Sequence, residues 1–188
     1  MLRYYITDRC SAGGMGPLLR YLERAIAEGV DQIQIREKDL AARELLLLTR
    51  RAVELAAGHA TRVMVNSRTD IALAAGAHGV HLPADSISPR YLRAIAPPGF
   101  LVGVSTHERC EILAAQEEGA DFVVFGPVFS PGSKISHLPE TGPEGLRAAV
   151  QGLTIPVFAL GGITPENADL CIQAGAAGVA GISLFQCK

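Results

Sequence analysis

The sequence predicts an α/β fold in which eight parallel strands close into a (β/α)8 barrel, a TIM barrel, with residues 1–188 forming a single domain. Three observations carry this prediction: β-type apolar runs alternate with helix-like stretches, a glycine-containing pattern recurs at the predicted helix ends, and the first strand is not followed by a Gly-x-Gly-x-x-Gly turn. That missing turn disfavours the alternative fold, an open doubly wound sheet. A chain of 188 residues is long enough for one sizeable core.

The predicted strands are short runs rich in β-branched and other apolar residues. They are Arg3–Thr7, Gln32–Arg36, Arg62–Val65, Gly79–Leu82, Leu101–Ser105, Phe122–Phe125, Pro156–Leu160 and Gly178–Ile182. The predicted helices are Pro17–Glu28, Ala41–Ala57, Thr69–Ala75, Ser88–Ala96, His107–Glu118, Pro143–Val150 and Pro165–Gln173. Gly29, Gly76, Gly119 and Gly175 follow helices and suit left-handed helix caps. After the eighth strand too few residues remain for a covering helix, so we expect the final helix to be missing, with another subunit or a bare patch in its place.

The composition excludes several classes of function. Lys and Arg number 17 against 19 Asp and Glu, a formal net charge of −2, so there is no global basic field for nucleic acid or an anionic membrane. No apolar run is long enough to span a membrane and no signal-peptide layout is present, so we expect a cytoplasmic protein. The four cysteines lack Cys-x-x-Cys spacing and are expected to be free thiols, mostly buried.

The end of the second strand is the most informative position for chemistry. Its period of two places Gln34, Arg36 and Lys38 on the face opposite to Ile33 and Ile35, which should pack beneath helices. A guanidinium inside the barrel needs a partner. That partner is either an anionic ligand or an internal carboxylate such as Glu37 or Asp39.

Other strand ends offer weaker indications. Gly161-Gly162 and the neighbouring Ile182-Ser183 match the phosphate site that barrels build after strands seven and eight, and Thr164-Pro165 suits the start of a helix. Ser105 either donates a hydrogen bond inside the mouth or caps the next helix. Among the third and fourth strand ends, only Asp85 offers a carboxylate near a metal-suited position. His81 is at least as well explained as a core histidine satisfied by a neighbour as by a catalytic role, and we assign it no role. The long segment after strand six carries Ser133 and Lys134, and is either a lid or an ordinary solvated loop.

Taken together, these motifs resemble the thiamine phosphate synthase and TenI-like superfamily of (β/α)8 barrels over nearly the whole chain. The resemblance rests on the following segments: Tyr5–Arg9, Gln34–Lys38, Asn66 with Ile71–Leu73, Gly79–Leu82, Gly103–Ser105, Gly126–Phe129 and Ala159–Asn167. It implies that an aminopyrimidine diphosphate loses diphosphate and that the nitrogen of a thiazole phosphate captures the pyrimidine cation. The product would be thiamine phosphate.

The resemblance also implies roles for individual residues. Arg36, Lys38 and Lys134 would act on the departing diphosphate. The pyrimidine and diphosphate would further contact Gln34, Asn66, Ser105 and Ser133, and the thiazole phosphate would contact Gly162, Ile182 and Ser183. Mg²⁺ would assist as cofactor, with Asp85 as a candidate ligand. We further expect small phosphorylated substrates, no nucleic-acid or membrane partner, and a homo-oligomer.

The chain departs from this pattern at its metal ligands. Ser67 stands where synthases carry a magnesium-binding aspartate, and the second such aspartate aligns with Ser86, one residue after Asp85. A hydroxyl is a poorer ligand for a hard dication. Two alternatives therefore remain open. One is a TenI-like thiazole tautomerase, although Pro127 occupies the place of its histidine and His107 or His137 would have to substitute. The other is a silent protein that binds a thiazole phosphate.

Overall fold

The computed structural model describes residues 1–130 and 139–186, and within them eight parallel strands form a closed barrel in sequence order. The strands are β1 (Leu2–Ile6), β2 (Gln32–Ile35), β3 (Arg62–Asn66), β4 (Gly79–Leu82), β5 (Leu101–Thr106), β6 (Phe122–Phe125), β7 (Val157–Ala159) and β8 (Gly178–Gly181). Closure comes from β8 pairing with β1 over Leu2–Tyr5. The predicted barrel is confirmed.

Helices cover the outside of this sheet. They are α1 (Arg9–Ala12), α2 (Met15–Ala27), α3 (Ala42–Ala56), α4 (Thr69–Ala75), α5 (Pro89–Arg93), α6 (Arg109–Glu117), α7 (Gly142–Val150), α8 (Ala168–Gln173) and α9 (Ser183–Gln186). Gly29, Gly76, Gly119 and Gly175 all have positive φ, between 70° and 105°, as the left-handed caps require.

The sequence prediction misplaces the start of one helix and misses another helix, in each case for a local reason. The helix expected from Pro165 begins at Ala168, because the Asn167 side chain accepts from the Thr164 N–H (2.9 Å) and donates to the Gly162 carbonyl (2.8 Å), which holds the preceding residues in a turn. The sequence prediction also missed α1, a single turn whose N-cap Asp8 accepts from the Ser11 N–H.

Within the described residues only a short helix follows β8, in the region where a full covering helix was expected to be missing. Residues 183–186 form the short helix α9, whose Phe185 packs on Tyr5 with ring centroids 5.3 Å apart. Arg24 of α2 donates to the Phe185 carbonyl, and Gln186 donates to the Asp8 carbonyl. A cleft of about 280 Å³ remains between α2 and α8.

The strands separate two packing layers by side-chain parity. Ile33 and Ile35 of β2 join the layer between sheet and helices, as predicted. The interior is filled by a second cluster, which consists of Tyr4, Ile6, Met64, Phe122, Val124, Phe158 and Ala180. The barrel interior is therefore a packed core, and barrels of this kind bind their ligands at the carboxyl-terminal mouth.

The cysteines differ in part from expectation. Cys10, Cys110 and Cys171 are free thiols, but only Cys171 is buried. Cys187 lies outside the described residues. No helix in the described part of the chain is both long enough and apolar enough to cross a membrane.

Candidate active site at the barrel mouth

Arg36 follows directly on β2 and is half-buried. Within the described ranges, its guanidinium forms no ion pair and no hydrogen bond. Its backbone N–H donates to Thr7 Oγ1 (2.9 Å), which ties the start of the β2 loop to the end of β1. Burial lowers the pKa of the His81 imidazole, and the nearby Arg36 charge lowers it further. The guanidinium thus lies at the mouth as an uncompensated cation.

The two acids that could have neutralised Arg36 are engaged by Arg9 instead. Both Glu37 oxygens accept from the Arg9 backbone N–H (3.1 and 3.0 Å), and the Arg9 guanidinium pairs with Asp39. Glu37 is buried, which raises its pKa, while hydrogen bonds from the Thr7 side chain and the Arg9 backbone oppose that rise. The internal salt bridge considered from the sequence is therefore wrong for both acids.

Lys38 and Asn66 line one cleft between the loops that follow β2 and β3. Its volume is about 290 Å³. It is lined by Ile35, Glu37, Lys38, Leu40, Leu45, Asn66, Ser67 and Arg68. Lys38 is exposed and Asn66 is half-buried, and the Asn66 amide donates to Ser67 Oγ at 2.9 Å. The structure thus brings these two predicted residues together, next to the strand that carries Gln34.

Gln34 and Ser105 belong to a hydrogen-bonded row inside the barrel. Gln34 Nε2 donates to the Tyr4 hydroxyl at 3.0 Å, and that hydroxyl lies 3.3 Å from His81 Nδ1. His81 Nε2 lies 2.9 Å from Ser105 Oγ. Ser105 is therefore not a helix cap, since α6 begins only at Arg109. His81 is the satisfied core histidine considered above, and the sequence prediction overlooked Tyr4 although its inward parity on β1 could have indicated it.

The turn after β7 exposes backbone N–H groups at the mouth. Gly161 and Gly162 have φ of 100° and 59°, and within the described residues the N–H groups of Gly161, Gly162 and Ile163 donate to no protein acceptor. Successive N–H groups in such turns form concavities that bind anions. Ile182 packs on the interior cluster. Ser183 begins α9 just after β8, the strand that pairs with β7.

The loop after β6 is fastened to the same turn at its base. Val128 and Phe129 donate their N–H groups to the carbonyls of Leu160 and Gly161 at 2.8 and 3.0 Å. The returning chain is pinned beside it, since the Thr141 N–H donates to the Pro127 carbonyl (3.1 Å). Both ends of the predicted lid therefore lie at the mouth. Ser133 and Lys134 themselves lie outside the described residues, and so does His137.

The chain matches the family model described as thiamine monophosphate synthase over residues 3–185. It belongs to the thiamine monophosphate synthase family. A Geobacter sulfurreducens protein, provisionally named a thiamine-phosphate synthase, is 47% identical over 180 residues, which cover 96% of this chain and 84% of that protein. Thiamine-phosphate synthase of Chlorobium phaeovibrioides is 40% identical over 167 residues, 89% of this chain and 80% of the relative.

A solved structure agrees with this membership. Thiamine phosphate pyrophosphorylase from Pyrococcus furiosus superposes with a TM-score of 0.84 at 32% identity, over 97% of this chain and 85% of that one. The 3-hexulose-6-phosphate synthase structure, at 21% identity and a TM-score of 0.68, shares the barrel fold alone.

The donors that this family member offers to a divalent cation are sparse. Asp85 is exposed in the turn after β4, and no hydrogen bond or ion pair involves it in the part of the chain that the structure describes. Within the same residues, no group of three or more His, Cys, Asp or Glu side chains could hold a metal. Serine hydroxyls at positions 67 and 86 do not replace carboxylates. The described residues do not fit a preformed Mg²⁺ cage.

His107, one of the two histidines that a tautomerase would have to use, already contacts a backbone carbonyl. Its ring Nδ1 lies 2.6 Å from the Gly126 carbonyl, and its backbone N–H donates to Glu111. Gly126 immediately precedes Pro127, the position at which the resemblance implies a histidine in tautomerases. Nothing in this arrangement favours proton transfer by His107 over a structural role for that ring.

Proposed function

We propose that this family member is a thiamine-phosphate synthase, a transferase that joins an aminopyrimidine diphosphate to a thiazole phosphate. The observation that carries the proposal is the uncompensated Arg36 guanidinium at the barrel mouth, whose neighbouring acids are held by Arg9. The names of relatives across most of the chain support the same activity. Small phosphorylated substrates would suit two regions of the mouth. One is the cationic region with Arg36 and Lys38, and the other is the turn at Gly161 and Gly162 with its backbone N–H groups.

The reaction needs no nucleophile from the protein. The bond between the pyrimidine methylene carbon and the diphosphate oxygen breaks with its electron pair going to oxygen. The thiazole nitrogen then supplies the pair that forms the new carbon–nitrogen bond. Negative charge accumulates on the leaving diphosphate, and a positioned cation in a site with little water stabilises that charge. Arg36 is the residue placed for this task, with Lys38 in the adjoining cleft. Lys134, which lies outside the described residues, would act with them.

The remaining residues bind the two rings. Gln34 and Ser105 would contact the pyrimidine from the barrel interior, and Asn66 and Ser133 would contact its diphosphate. The amides at Gly162 would receive the thiazole phosphate, together with Ile182 and Ser183. If Mg²⁺ takes part, Asp85 is its only candidate carboxylate in the predicted set. We further propose that the protein is a single-domain homo-oligomer in the cytoplasm.

Substitution of the uncompensated cation tests the proposal. Purified protein with Mg²⁺ and both substrates should form thiamine phosphate, measured by chromatography. Arg36→Ala should lower kcat about 100-fold or more, since a charged hydrogen bond to a developing anion is worth about 3–4 kcal/mol in a closed site. The matched control is Arg62→Ala, which removes the same side chain from the opposite, amino-terminal end of β3 and should keep wild-type turnover.

Three results are informative. Equal turnover of Arg36→Ala and wild type would reject the role given to Arg36. Isomerisation of a thiazole carboxylate phosphate without metal, and no synthase product, would favour the tautomerase. Binding of the thiazole phosphate by calorimetry with neither activity would favour the silent binder.

A further inference from the structure

Polar side chains inside the barrel form a row of hydrogen bonds in which each group can be assigned as donor or acceptor. Tyr4 is fully buried, and Gln34 and His81 are each 2% exposed, among the apolar residues of the interior cluster. Buried polar groups in such surroundings are costly unless all are connected. Here the connection runs without a break from Gln34 through Tyr4 and His81 to Ser105.

The donors and acceptors follow from the number of hydrogens on each group. Tyr4 is fully buried, and among the described residues its hydroxyl contacts only Gln34 Nε2, which is a donor, and His81 Nδ1, so its single hydrogen finds an acceptor only if Tyr4 donates to His81 Nδ1. In a neutral imidazole, an accepting Nδ1 leaves the hydrogen on Nε2. His81 therefore donates to Ser105 Oγ, and the hydrogen of the Ser105 hydroxyl remains available to another group at the mouth.

Two features keep His81 in this state. Burial and the nearby Arg36 charge lower its pKa to about 3, so the ring is neutral in the physiological range. The ring also has little freedom to move. A Cβ at Gly103 would lie 2.9 Å from His81 Nδ1, and the centroid of the His81 ring is 5.8 Å from that of Tyr4 and 6.0 Å from that of Phe122.

We propose that Tyr4 and His81 are positioning residues that fix Ser105 as a hydrogen-bond donor and hold the Gln34 amide in one orientation. The consequence is selectivity for a heteroaromatic ring that turns an acceptor nitrogen toward Ser105. A ring with a donor at that position would have to use the second lone pair of Ser105 Oγ, and the Ser105 hydrogen would then have to turn to another acceptor. This inference rests on the proposed function, which supplies the pyrimidine.

The chain contains a matched pair of variants for the test. Tyr4 and Tyr5 are neighbours on β1, both fully buried, but Tyr5 faces the helix layer and its hydroxyl has no hydrogen-bond partner among the described residues. Tyr4→Phe and Tyr5→Phe therefore remove the same atom from the same strand. Only the first breaks the row, and comparing their unfolding curves checks that both variants fold.

The first measurement is the tautomer of His81 by ¹⁵N NMR of histidine-labelled protein, assigned by the resonances lost in His81→Gln. Wild type and Tyr5→Phe should show a protonated Nε2 and an unprotonated Nδ1 from pH 5 to 8. Tyr4→Phe should populate the other tautomer, because Nδ1 has lost its donor. A protonated Nδ1 in the wild type would overturn the proposed direction, whether or not the protein turns over substrate.

The second measurement is a comparison of the two KM values. Tyr4→Phe should raise KM for the pyrimidine diphosphate by about 3- to 10-fold, the worth of one hydrogen bond, and leave KM for the thiazole phosphate unchanged. Tyr5→Phe should change neither. Wild-type turnover combined with an unchanged pyrimidine KM in Tyr4→Phe would overturn the positioning role. A wild type that makes no thiamine phosphate would instead count against the proposed function, and the NMR result would stand apart from it.

Discussion

Gly162→Ala tests whether the turn after β7 is the site for the thiazole phosphate. Gly162 has a φ of 59°, and a Cβ there would lie 2.4 Å from the Ser130 carbonyl oxygen and 2.8 Å from Phe129 Cβ. Gly76 is the matched control. Its φ is 70°, but a Cβ there would meet no atom within 4 Å, and it caps α4 at the opposite end of the barrel.

Alanine at Gly76 introduces backbone strain alone, whereas alanine at Gly162 introduces the same strain and also a clash with the loop after β6. An L-residue with left-handed backbone costs about 1–2 kcal/mol at either position. Gly162→Ala adds about 1–3 kcal/mol, because the loop after β6 must move away from the new methyl group. In a chain of this size, 1 kcal/mol lowers Tm by about 2–4 °C. Gly76→Ala should therefore lose about 2–8 °C and Gly162→Ala about 4–20 °C.

Thermal unfolding followed by circular dichroism checks these values, and steady-state kinetics well below both Tm values checks the site. Gly162→Ala should raise KM for the thiazole phosphate about 10- to 100-fold, since charged hydrogen bonds from displaced amides are worth about 1.5–3 kcal/mol. Gly76→Ala should keep the wild-type KM. If folded Gly162→Ala has the same KM as Gly76→Ala, the amides of this turn do not bind the phosphate.

Two further predictions concern acid stability and the metal. The folded-state pKa of His81 is about 3, below the unfolded value of about 6.5, so its contribution to stability is present above pH 6.5 and is lost as the pH falls toward 3. Urea unfolding between pH 7 and 4 should show a slope up to about 1.4 kcal/mol per pH unit smaller for His81→Gln than for wild type, and parallel curves would contradict the low pKa. Ser67 has a φ of 61°, which aspartate tolerates, so Ser67→Asp should lower the Mg²⁺ concentration for half-maximal turnover about tenfold if metal binds there; an unchanged titration would place the metal elsewhere.

The barrel was predictable because its signals are local and repeated. A period of two placed Ile33 and Ile35 outside, and the glycines after helices α2, α4, α6 and α8 adopt the left-handed backbone that their positions suggested. Helix α1 escaped prediction because four residues show no periodicity. The start of α8 was misplaced because the side chain of Asn167 bonds the Thr164 N–H and the Gly162 carbonyl and holds the preceding residues in a turn.

The site was predictable only in part because its decisive contacts join distant strands. Parity alone places Arg36 inside the mouth, but whether its charge is neutralised depends on Arg9, 27 positions away at the start of α1, which engages both candidate acids. The partnership of Tyr4 with His81 spans 77 residues and exists only once the barrel has closed. Sequence patterns indicate which face a side chain occupies, and they carry little information about which partner across the barrel it meets.

The division between strands and loops also accounts for where this chain departs from its family. Gln34 and Ser105 lie on strands whose register is fixed by the closed sheet, and Arg36 is tied to β1 through Thr7. Ser67 and Asp85, in contrast, lie in turns after β3 and β4, where a changed side chain disturbs no strand pairing. A serine at position 67, where the resemblance implies a metal-binding aspartate, therefore costs the fold little, while the cation at the mouth and the neutral row beneath it stay in place. A synthase built this way would stabilise its leaving group chiefly with fixed protein charge, and the Arg36→Ala and Ser67→Asp variants measure the two contributions separately.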